Sequence, residues 1–261
     1  MKALDLRLAW IKVGAKVQFF DQGILLDLFL KTMVQLGISY FFWRAIFASG
    51  NPVISGRNFD EFVLYLVLST YMQSMMGYPL IYFISRDIRS GGILHSLLRP
   101  SGYDLQMIYK TLGTSLVCAL LFLPLFLGVV YLGDFLNPLK ILGFFVLAAL
   151  GITSAIQFDF LLGLFTFWSE NSWGIALVKQ GILLFFSGRL FPVDMLGKSV
   201  FGIIQYSPFP GMVYGPIQHL LGDGGDFLLR AAIQLFWVLF FKGCIMLITK
   251  RAQKDVMIYG G

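Results

Sequence analysis

Long apolar segments separated by short polar or basic stretches dominate this chain of 261 residues. A helix needs about 20 mostly apolar residues to cross a bilayer, and each segment reaches or approaches that length. The six segments are Ile24–Phe47, Phe62–Ile84, Leu105–Leu132, Ile141–Phe167, Trp173–Gly188 and Phe227–Thr249. The fifth is short for a full crossing. The pattern predicts an all-α integral membrane protein with six transmembrane helices in a single domain, 1–261.

The composition excludes a soluble domain. Charged residues make up 13% of the chain and hydrophobic residues 57%, whereas a soluble globular domain carries about 25% charged residues. The net charge of +6 does not indicate a nucleic-acid partner, because the basic residues cluster at the ends of apolar segments, where membrane topology uses them. Basic residues also interrupt the first 20 positions, so no cleavable signal is expected.

The positions of Lys and Arg predict the orientation in the membrane. Three regions are rich in them: the N-terminal segment (Lys2, Arg7, Lys12, Lys16), the loop after the second apolar segment (Arg86, Arg89, Arg99) and the C-terminal tail (Lys250, Arg251, Lys254). The other loops are poorer and hold Arg57, Lys140, Arg189 and Lys198. Both termini are therefore predicted to be cytoplasmic, with the chain in the cell inner (cytoplasmic) membrane.

Residues 4–20, within the N-terminal stretch 1–22, show a helical spacing of apolar residues. Leu6, Trp10, Val13 and Val17 recur at i, i+4, i+7 and i+11, and charged residues line another side. This spacing predicts an amphipathic helix that lies in the membrane interface. The alternative is an unstructured basic segment.

The stretch 189–226 is predicted to lie outside the cell, although it is too apolar for a solvated loop. Its prolines, Pro192, Pro208, Pro210 and Pro216, divide it into pieces too short to span. Irregular backbone at membrane depth survives only where protein covers it or where it lines a cavity. We therefore expect re-entrant or interfacial extracytoplasmic helices before the last span. The alternative, a seventh span, would put the two ends of the chain on opposite sides, and the basic tail argues against it.

Charged residues within the apolar segments are the next signal, because a charge at the bilayer centre costs about 2.5–3.5 kcal/mol. The four residues are Asp27, Lys31, Asp159 and Lys242. In one interpretation they form an inward-facing polar layer, a cytoplasmic vestibule that admits a polar or charged head group. In the other they form structural ion pairs, Asp27 with Lys31 along one helix and Asp159 with Lys242. The long side chains of Lys31 and Lys242 would then extend toward the membrane interface.

No catalytic or metal-binding pattern is present in the sequence. The stretch Pro192–Ser199 ends like the phosphate-binding loop G-x-x-x-x-G-K-[ST], but proline replaces its first glycine and has no N–H to offer a phosphate. The histidines and cysteines are scattered: His95, His219, Cys118 and Cys244. We therefore expect no metal, no cofactor and no enzymatic activity on this chain.

The basic stretch Arg86–Pro100 lies between the second and third apolar segments. After the break Ser90-Gly91-Gly92, its apolar residues share one helical face: Ile93, Leu94, Leu97 and Leu98. His95, Ser96 and Arg99 lie away from that face, and Pro100 ends the helix. In a protein without a catalytic motif, this pattern predicts a cytoplasmic helix that is moved by a partner protein.

These features together resemble the permease (transmembrane) subunit of type-2 ABC exporters. Two local motifs carry the likeness. The stretch Asp87–Gly92 leading to Leu97–Pro100 is similar to the coupling-helix region of that family, and Ser187–Pro192 with Ser207–Pro210 is similar to its small-Gly-x-x-Phe-Pro turn after the fifth span. The form of the first motif resembles a subgroup of multidrug- or viologen-exporter-like permeases, which commonly work as pairs of related subunits.

The resemblance implies a separate ABC ATPase in two copies, which would bind ATP and Mg, and a second permease, identical or paralogous, in a dimer surrounded by lipid. It implies a path lined by the first, second and fifth spans. It makes 86–100 the coupling helix, with ATPase contacts from Arg86, Asp87, Arg89, Gly91, Ile93, Leu94, Leu97, Leu98 and Arg99. It places an extracytoplasmic gate at Phe191, Pro192, Pro208 and Pro210.

The predicted function is the transmembrane subunit of an ABC transporter that exports an apolar or amphipathic substrate, such as a drug, an antibiotic, or a lipid-like or glycan-linked molecule. The alternative is an ion channel or an ion-coupled secondary transporter without an ATPase. Inverted repeats would favour a carrier, and the sequence shows none. A membrane enzyme is disfavoured because no polar catalytic cluster is present.

Overall fold

The computed structural model of the protein describes residues 3–50, 53–54, 56–76, 80–92, 102–169, 171–222 and 226–259. In these residues the structure is almost entirely α-helical. The helices are α1 (Ala3–Phe20), α2 (Gln22–Ala48), α3 (Phe59–Met75), α4 (Leu80–Arg89), α5 (Tyr103–Leu121), α6 (Leu123–Leu132), α7 (Pro138–Leu164), α8 (Ser172–Phe186), α9 (Lys198–Ile204), α10 (Tyr214–Leu221) and α11 (Phe227–Tyr259). Short 3-10 turns lie at Phe165–Phe167, Val193–Leu196 and Pro210–Met212. The strands β1 (Val53–Ile54) and β2 (Arg57–Asn58) form an antiparallel hairpin in which Val53 pairs with Asn58.

Three helical stretches of the described chain are long and apolar enough to cross a membrane: Gly23–Ala48, Pro138–Phe167 and Phe227–Thr249. Helices α5 and α6 together make a fourth candidate, bent by 49° at the break between them. A proline occupies the first turn of α6, where its missing N–H removes no helical hydrogen bond. The described residues therefore hold three or four candidate spans.

Two predicted spans are shorter than a full crossing as single helices. The predicted segment Phe62–Ile84 is shared between α3, which ends at Met75, and α4, which begins at Leu80. Helix α8, which holds the predicted fifth span, has 15 residues. Both fall below the roughly 20 residues that a straight crossing needs, so helix length by itself does not give six spans.

Polar side chains at helix starts fix several of these boundaries. The Asp21 carboxylate accepts a hydrogen bond from the backbone N–H of Ile24 at 3.1 Å, and Asn137 caps the start of α7 in the same way. At α3, Asn58 and Glu61 form a reciprocal capping box. These caps satisfy backbone donors that the first turn of a helix leaves unpaired.

Helix α7 lies at the centre of the molecule. It packs against α4, α5, α10 and α11, and 39% of its apolar window is buried, compared with 6% for α2 and 17% for α11. Phe144 and Phe160 of α7 are completely buried. Helix α2, in contrast, leaves most of its apolar side chains uncovered, so it lies at the edge of the bundle.

Glycines let other elements approach α7 closely. A Cβ added at Gly151 would lie 2.6 Å from the carbonyl oxygen of Gly211, and one added at Gly163 would lie 2.5 Å from the Ile84 side chain. Small residues at helix contacts are typical of bundles in membranes, where close packing replaces the hydrophobic driving force.

Helix α1 is docked along α5 through a similar contact. A Cβ added at Gly14 would lie 1.8 Å from a carbonyl oxygen of α5, and one added at Gly113 would lie 2.0 Å from a carbonyl oxygen of α1. Gln18 is buried on the same side of α1, whereas Val13 and Val17 of the predicted apolar stripe are exposed. The packed face of α1 is therefore centred on Gly14 and includes the buried Gln18, and part of the apolar stripe stays uncovered.

Residues 189–222 fold into short helical pieces. The longest, α10, has 8 residues and packs on α7. Pro192, Pro208 and Pro210 are buried and Phe191 is half-buried, so the predicted gate residues are packed into the protein. The bundle covers the proline-containing turns and α10, where it provides the partners that irregular backbone needs, whereas α9 holds no buried residue.

Candidate functional site

A cleft of about 430 Å³ opens between α2, α3, α4 and α8. Its walls combine polar side chains with apolar ones. The polar residues that line it are Lys31, Thr32, Gln35, Thr70, Gln73, Ser74, Lys179, Gln180 and Arg189. Binding pockets typically combine an apolar lining with a few polar groups that orient the ligand. Polar residues in an apolar bundle also mark candidate transport pathways, so this cleft is the candidate functional site.

Two glutamines bridge the cleft. Gln35 of α2 donates from its Nε2 to the Oε1 of Gln73 on α3 at 2.7 Å. The Nε2 of Gln73 in turn donates to the Ser69 hydroxyl at 3.3 Å. Helix α2 makes its main contact with α3, so this bridge helps to set the distance between the two walls.

An ion pair borders the cleft. Lys179 of α8 places its Nζ 2.7 Å from Oδ1 of Asp159 on α7, and the two side chains are only 11% and 9% exposed. The backbone N–H of Leu80 at the start of α4 also bonds to Asp159. Two buried charges can persist when they pair closely and form further hydrogen bonds. The pair therefore joins α7, α8 and α4 behind the wall of the cleft.

Asp159 pairs with Lys179 and not with Lys242, which corrects the Asp159–Lys242 pair of the second interpretation. Lys242 is exposed on α11. Lys179 reaches Asp159 because α7 and α8 follow each other in the chain and are joined by a short connection. The sequence signal for this pair is a lysine in the middle of the fifth apolar segment, Trp173–Gly188.

The predicted pair of Asp27 and Lys31 is present. Their charged atoms are 2.6 Å apart, and the side chains are 58% and 73% exposed. Lys31 lines the cleft. Of the predicted polar layer, the structure thus brings Lys31 to the cleft and Asp159 to its border.

Arg189 is half-buried and lines the cleft. The sequence predicts this residue in an outer loop. Its Nη1 donates to the Oε1 of Gln180 at 3.4 Å, and its Nη2 lies 3.6 Å from the sulfur of Met76. Its Nε is shielded from solvent and has no hydrogen-bond partner among the described residues. Its hydrogen bonds are therefore to neutral groups, while the Asp159 carboxylate attracts the guanidinium from a longer distance.

The turn that carries Arg189 is fixed from several sides. Gly188 has a φ of +89°, which favours glycine. Its carbonyl oxygen accepts a hydrogen bond from the Tyr65 hydroxyl at 2.7 Å. The carbonyl oxygen of Arg189 accepts one from Ser69 at 2.9 Å, and that of Leu190 accepts one from Trp43 at 3.1 Å. Helices α2 and α3 thereby direct the arginine into the cleft.

A second polar cluster clamps the β-hairpin to the short helices. Arg57 donates from both terminal nitrogens to Asp194, at 2.8 and 3.3 Å, and one of them also donates to Gln218 at 3.0 Å. Tyr214 donates to the same carboxylate at 3.3 Å. Burial would lower the pKa of Arg57, but the hydrogen bond and the charge of Asp194 outweigh it and raise the pKa. The guanidinium therefore stays charged.

Replacing Arg57 with glutamine is expected to lower the free energy of unfolding by about 1–3 kcal/mol, since Asp194 and Gln218 lose their donor in a partly buried place. Thermal unfolding of the purified protein measures the effect. Arg44→Gln is the matched control because Arg44 is an exposed arginine of α2. Equal Tm values for the two variants would contradict a stabilising role for the clamp.

The predicted coupling region is described as far as its first residues. Helix α4 ends at Arg89, and Gly91 follows with a φ of +70°. Asp87 accepts a hydrogen bond from the Tyr103 hydroxyl at 3.1 Å, and Arg86 is exposed with its guanidinium 4.8 Å from the ring centroid of Phe83. The other predicted ATPase contacts, Ile93, Leu94, Leu97, Leu98 and Arg99, lie outside the described residues.

The remaining candidates for chemistry are dispersed. Among the described residues, no group of three or more His, Cys, Asp or Glu side chains could hold a metal ion. Cys118 is buried and Cys244 is half-buried, both as free thiols. His219 is buried against the ring of Phe227.

Comparison with protein families matches residues 33–254 to the family described as ABC-2 family transporter protein. The match begins within α2 and extends into α11, so it covers most of the chain and all of the residues that line the cleft except Leu28, Lys31 and Thr32. A search of curated proteins found no match. Membrane components of this family carry no ATPase activity of their own. This multi-pass membrane protein belongs to the ABC-2 family and is the membrane subunit of an ABC transporter.

Proposed function

We propose that this subunit forms one side of an ATP-driven exporter for an apolar or amphipathic substrate. The observation that carries the proposal is the polar cleft between α2, α3 and α8, which hold the first, second and fifth predicted spans. In an ABC-2 membrane subunit, a cleft of this composition is a suitable part of the translocation path. Drugs, antibiotics and lipid-like or glycan-linked molecules are the substrates we consider.

A second permease, identical or paralogous, would complete the path. Helix α2 forms one wall of the cleft and is the least buried of the candidate spans. Its uncovered apolar side chains are Ile24, Leu26, Phe29, Leu30, Val34, Ile38, Phe41 and Phe42. Part of this surface would face lipid, and the part beside the cleft would face the second permease.

We propose that two copies of a separate ABC ATPase, which bind ATP and Mg, drive the transporter. The coupling helix 86–100 would receive their motion, with Arg86 and Arg89 at its start, exposed on the last turn of α4. In this arrangement six crossings leave both termini in the cytoplasm. Helix α1 would lie in the interface and would pass movement to α5, on which it is docked, and to α2.

The stretch 189–226 would form the extracytoplasmic gate. Phe191, Pro192, Pro208 and Pro210 are packed into the bundle. The clamp between Arg57 and Asp194 supports this proposal, because it holds the loop after α2 against the same stretch. A substrate leaving the cleft would then have to displace packed aromatic and proline side chains.

The test is ATPase coupling in the purified complex of the permease with its ATPase. Changing both Leu97 and Leu98 to aspartate places charges on the apolar face of the coupling helix. We expect the ATPase rate of the complex to fall by roughly tenfold or more, because the apolar contacts that we propose between these leucines and the ATPase would be lost. Val53→Asp on the exposed outer hairpin is the control and should leave the rate unchanged. Unchanged coupling in the double variant would contradict the placement of the coupling helix.

Membership of the ABC-2 family weighs against the alternative of an ion channel or an ion-coupled carrier. Transport by the reconstituted complex that continues without ATP would favour that alternative. Transport that depends on ATP would favour the exporter.

A further inference from the structure

The charges around the cleft do not balance. Three cations line it: Lys31, Lys179 and Arg189. Lys31 is paired with Asp27, and Lys179 is paired with Asp159. Among the described residues Arg189 takes part in no ion pair, and the nearby Asp159 carboxylate, which attracts it, is already paired with Lys179. The cleft therefore carries one surplus positive charge.

The surplus charge belongs to Arg189, most of whose N–H donors lack a strong hydrogen-bond acceptor in the described part of the chain. Arg189 has five N–H donors, but its contacts are a long hydrogen bond to Gln180 and a weak one to the sulfur of Met76. Its Nε is shielded from solvent and has no hydrogen-bond partner among the residues that the structure describes. The Asp159 carboxylate attracts this guanidinium but is shared with Lys179, so a further anion would lower the cost of keeping the arginine within an apolar bundle. A carboxylate or a phosphate would match its fork of donors.

The rest of the cleft suits an apolar body. Leu28, Ile81, Leu177 and Leu184 contribute apolar lining. The cleft volume of about 430 Å³ falls within the roughly 300–1,000 Å³ of small-molecule sites. An acidic head at Arg189 would leave the tail of a ligand against these side chains.

We propose that the cleft selects amphipathic anions, molecules with a single carboxylate or phosphate on an apolar body, and that Arg189 binds the acidic group. This inference rests on the proposed function, since it names the substrate class of the same cleft. The glutamines of the cleft would supply further hydrogen bonds to the head group, because Gln73 and Gln180 both line it.

The first test is binding of radiolabelled dodecyl phosphate to the full-length permease, in complex with its ATPase, in nanodiscs of zwitterionic lipid. Two competitors each carry one part of this ligand: dodecanol has the alkyl tail without the charge, and inorganic phosphate has the charge without the tail. We expect dodecyl phosphate to bind at least roughly tenfold more tightly than either, since a charge-assisted hydrogen bond and an apolar contact both contribute. Equal binding of dodecanol would overturn the anion preference. Equal binding of inorganic phosphate would overturn the amphipathic assignment.

Variants then locate the anion. Arg189→Gln is expected to weaken dodecyl phosphate binding by roughly tenfold or more, while the control Arg44→Gln, an exposed arginine of the same chain, leaves it unchanged. Arg189→Lys should retain part of the affinity, because it keeps the charge and loses the fork. Full affinity in Arg189→Gln would overturn the proposal.

A third variant avoids the risk that removing Arg189 disturbs the fold. The Oε1 of Gln180 already lies 3.4 Å from Nη1 of Arg189, so Gln180→Glu supplies an internal carboxylate of nearly the same shape. We expect this variant to fold with an equal or higher Tm and to bind dodecyl phosphate roughly tenfold more weakly, because the new carboxylate competes with the ligand. Undiminished binding in this variant would contradict the role of Arg189.

The two levels of the proposal fail differently. If dodecyl phosphate and dodecanol bind equally while ATPase coupling still depends on Leu97 and Leu98, the substrate class is wrong and the exporter stands. If coupling does not depend on them, the proposed coupling mechanism itself is wrong, whatever the cleft binds.

Discussion

Replacing Asp159 with alanine is expected to lower the free energy of unfolding by about 3–5 kcal/mol, the cost of leaving one partner of a buried ion pair uncompensated. The Lys179 ammonium, 11% exposed, would lose the carboxylate 2.7 Å away. The start of α4 would lose the acceptor for the N–H of Leu80. Thermal or denaturant unfolding of the purified protein measures the change.

A double variant separates the charge from the packing. Lys179→Met in the Asp159→Asn background removes both charges and should recover much of the loss, since a neutral pair of similar volume replaces a desolvated ion pair. Asp27→Asn is the control, because the Asp27–Lys31 pair is 58% and 73% exposed and such pairs contribute about 0–1 kcal/mol. Equal Tm values for Asp159→Ala and Asp27→Asn would contradict a structural role for the buried pair.

Replacing Gly113 with alanine is expected to destabilise the docking of α1 by about 1–3 kcal/mol, the usual cost of overpacking a close contact. The added Cβ would lie 2.0 Å from a backbone carbonyl oxygen of α1, and backbone cannot rotate out of the way as a side chain can. Trypsin cleavage at Lys12 and Lys16 of α1 should become roughly tenfold faster or more, because local opening exposes the helix.

The matched control is Gly243→Ala in α11, where an added Cβ meets nothing within 4 Å. There alanine should stabilise the helix by up to about 1 kcal/mol, because it loses less backbone entropy than glycine. If Gly113→Ala behaves like Gly243→Ala in unfolding and in proteolysis, then α1 is not held by the glycine contact.

The long helices were predictable from the sequence because an uninterrupted apolar run leaves the chain few alternatives. The runs Ile24–Phe47, Ile141–Phe167 and Phe227–Thr249 differ by only a few residues from the stretches that meet the length criterion. The second run was harder. Its helix ends at Met75, and the sequence Gly77-Tyr78-Pro79 that follows contains the two residues least suited to continue a helix.

The site was less predictable, because it depends on which helices become neighbours. Hydropathy located Asp159 but could not identify its partner, since Lys179 and Lys242 both lie in later apolar runs. Arg189 was assigned to a loop because it follows the fifth run directly. Its place at the cleft depends on the turn at Gly188 and on hydrogen bonds from residues more than 100 positions away. No local pattern encodes such contacts.

The clamp between Arg57 and Asp194 has a mechanical consequence for the whole subunit. The ion pair holds the hairpin against the short helices, and the Tyr65 hydroxyl holds α3 against the turn at Gly188. We expect this end of the molecule to be rigid. Bending should then concentrate at the 49° break between α5 and α6. We expect the hairpin, the turn at Gly188 and the short helices to move together as one rigid unit when the long helices tilt.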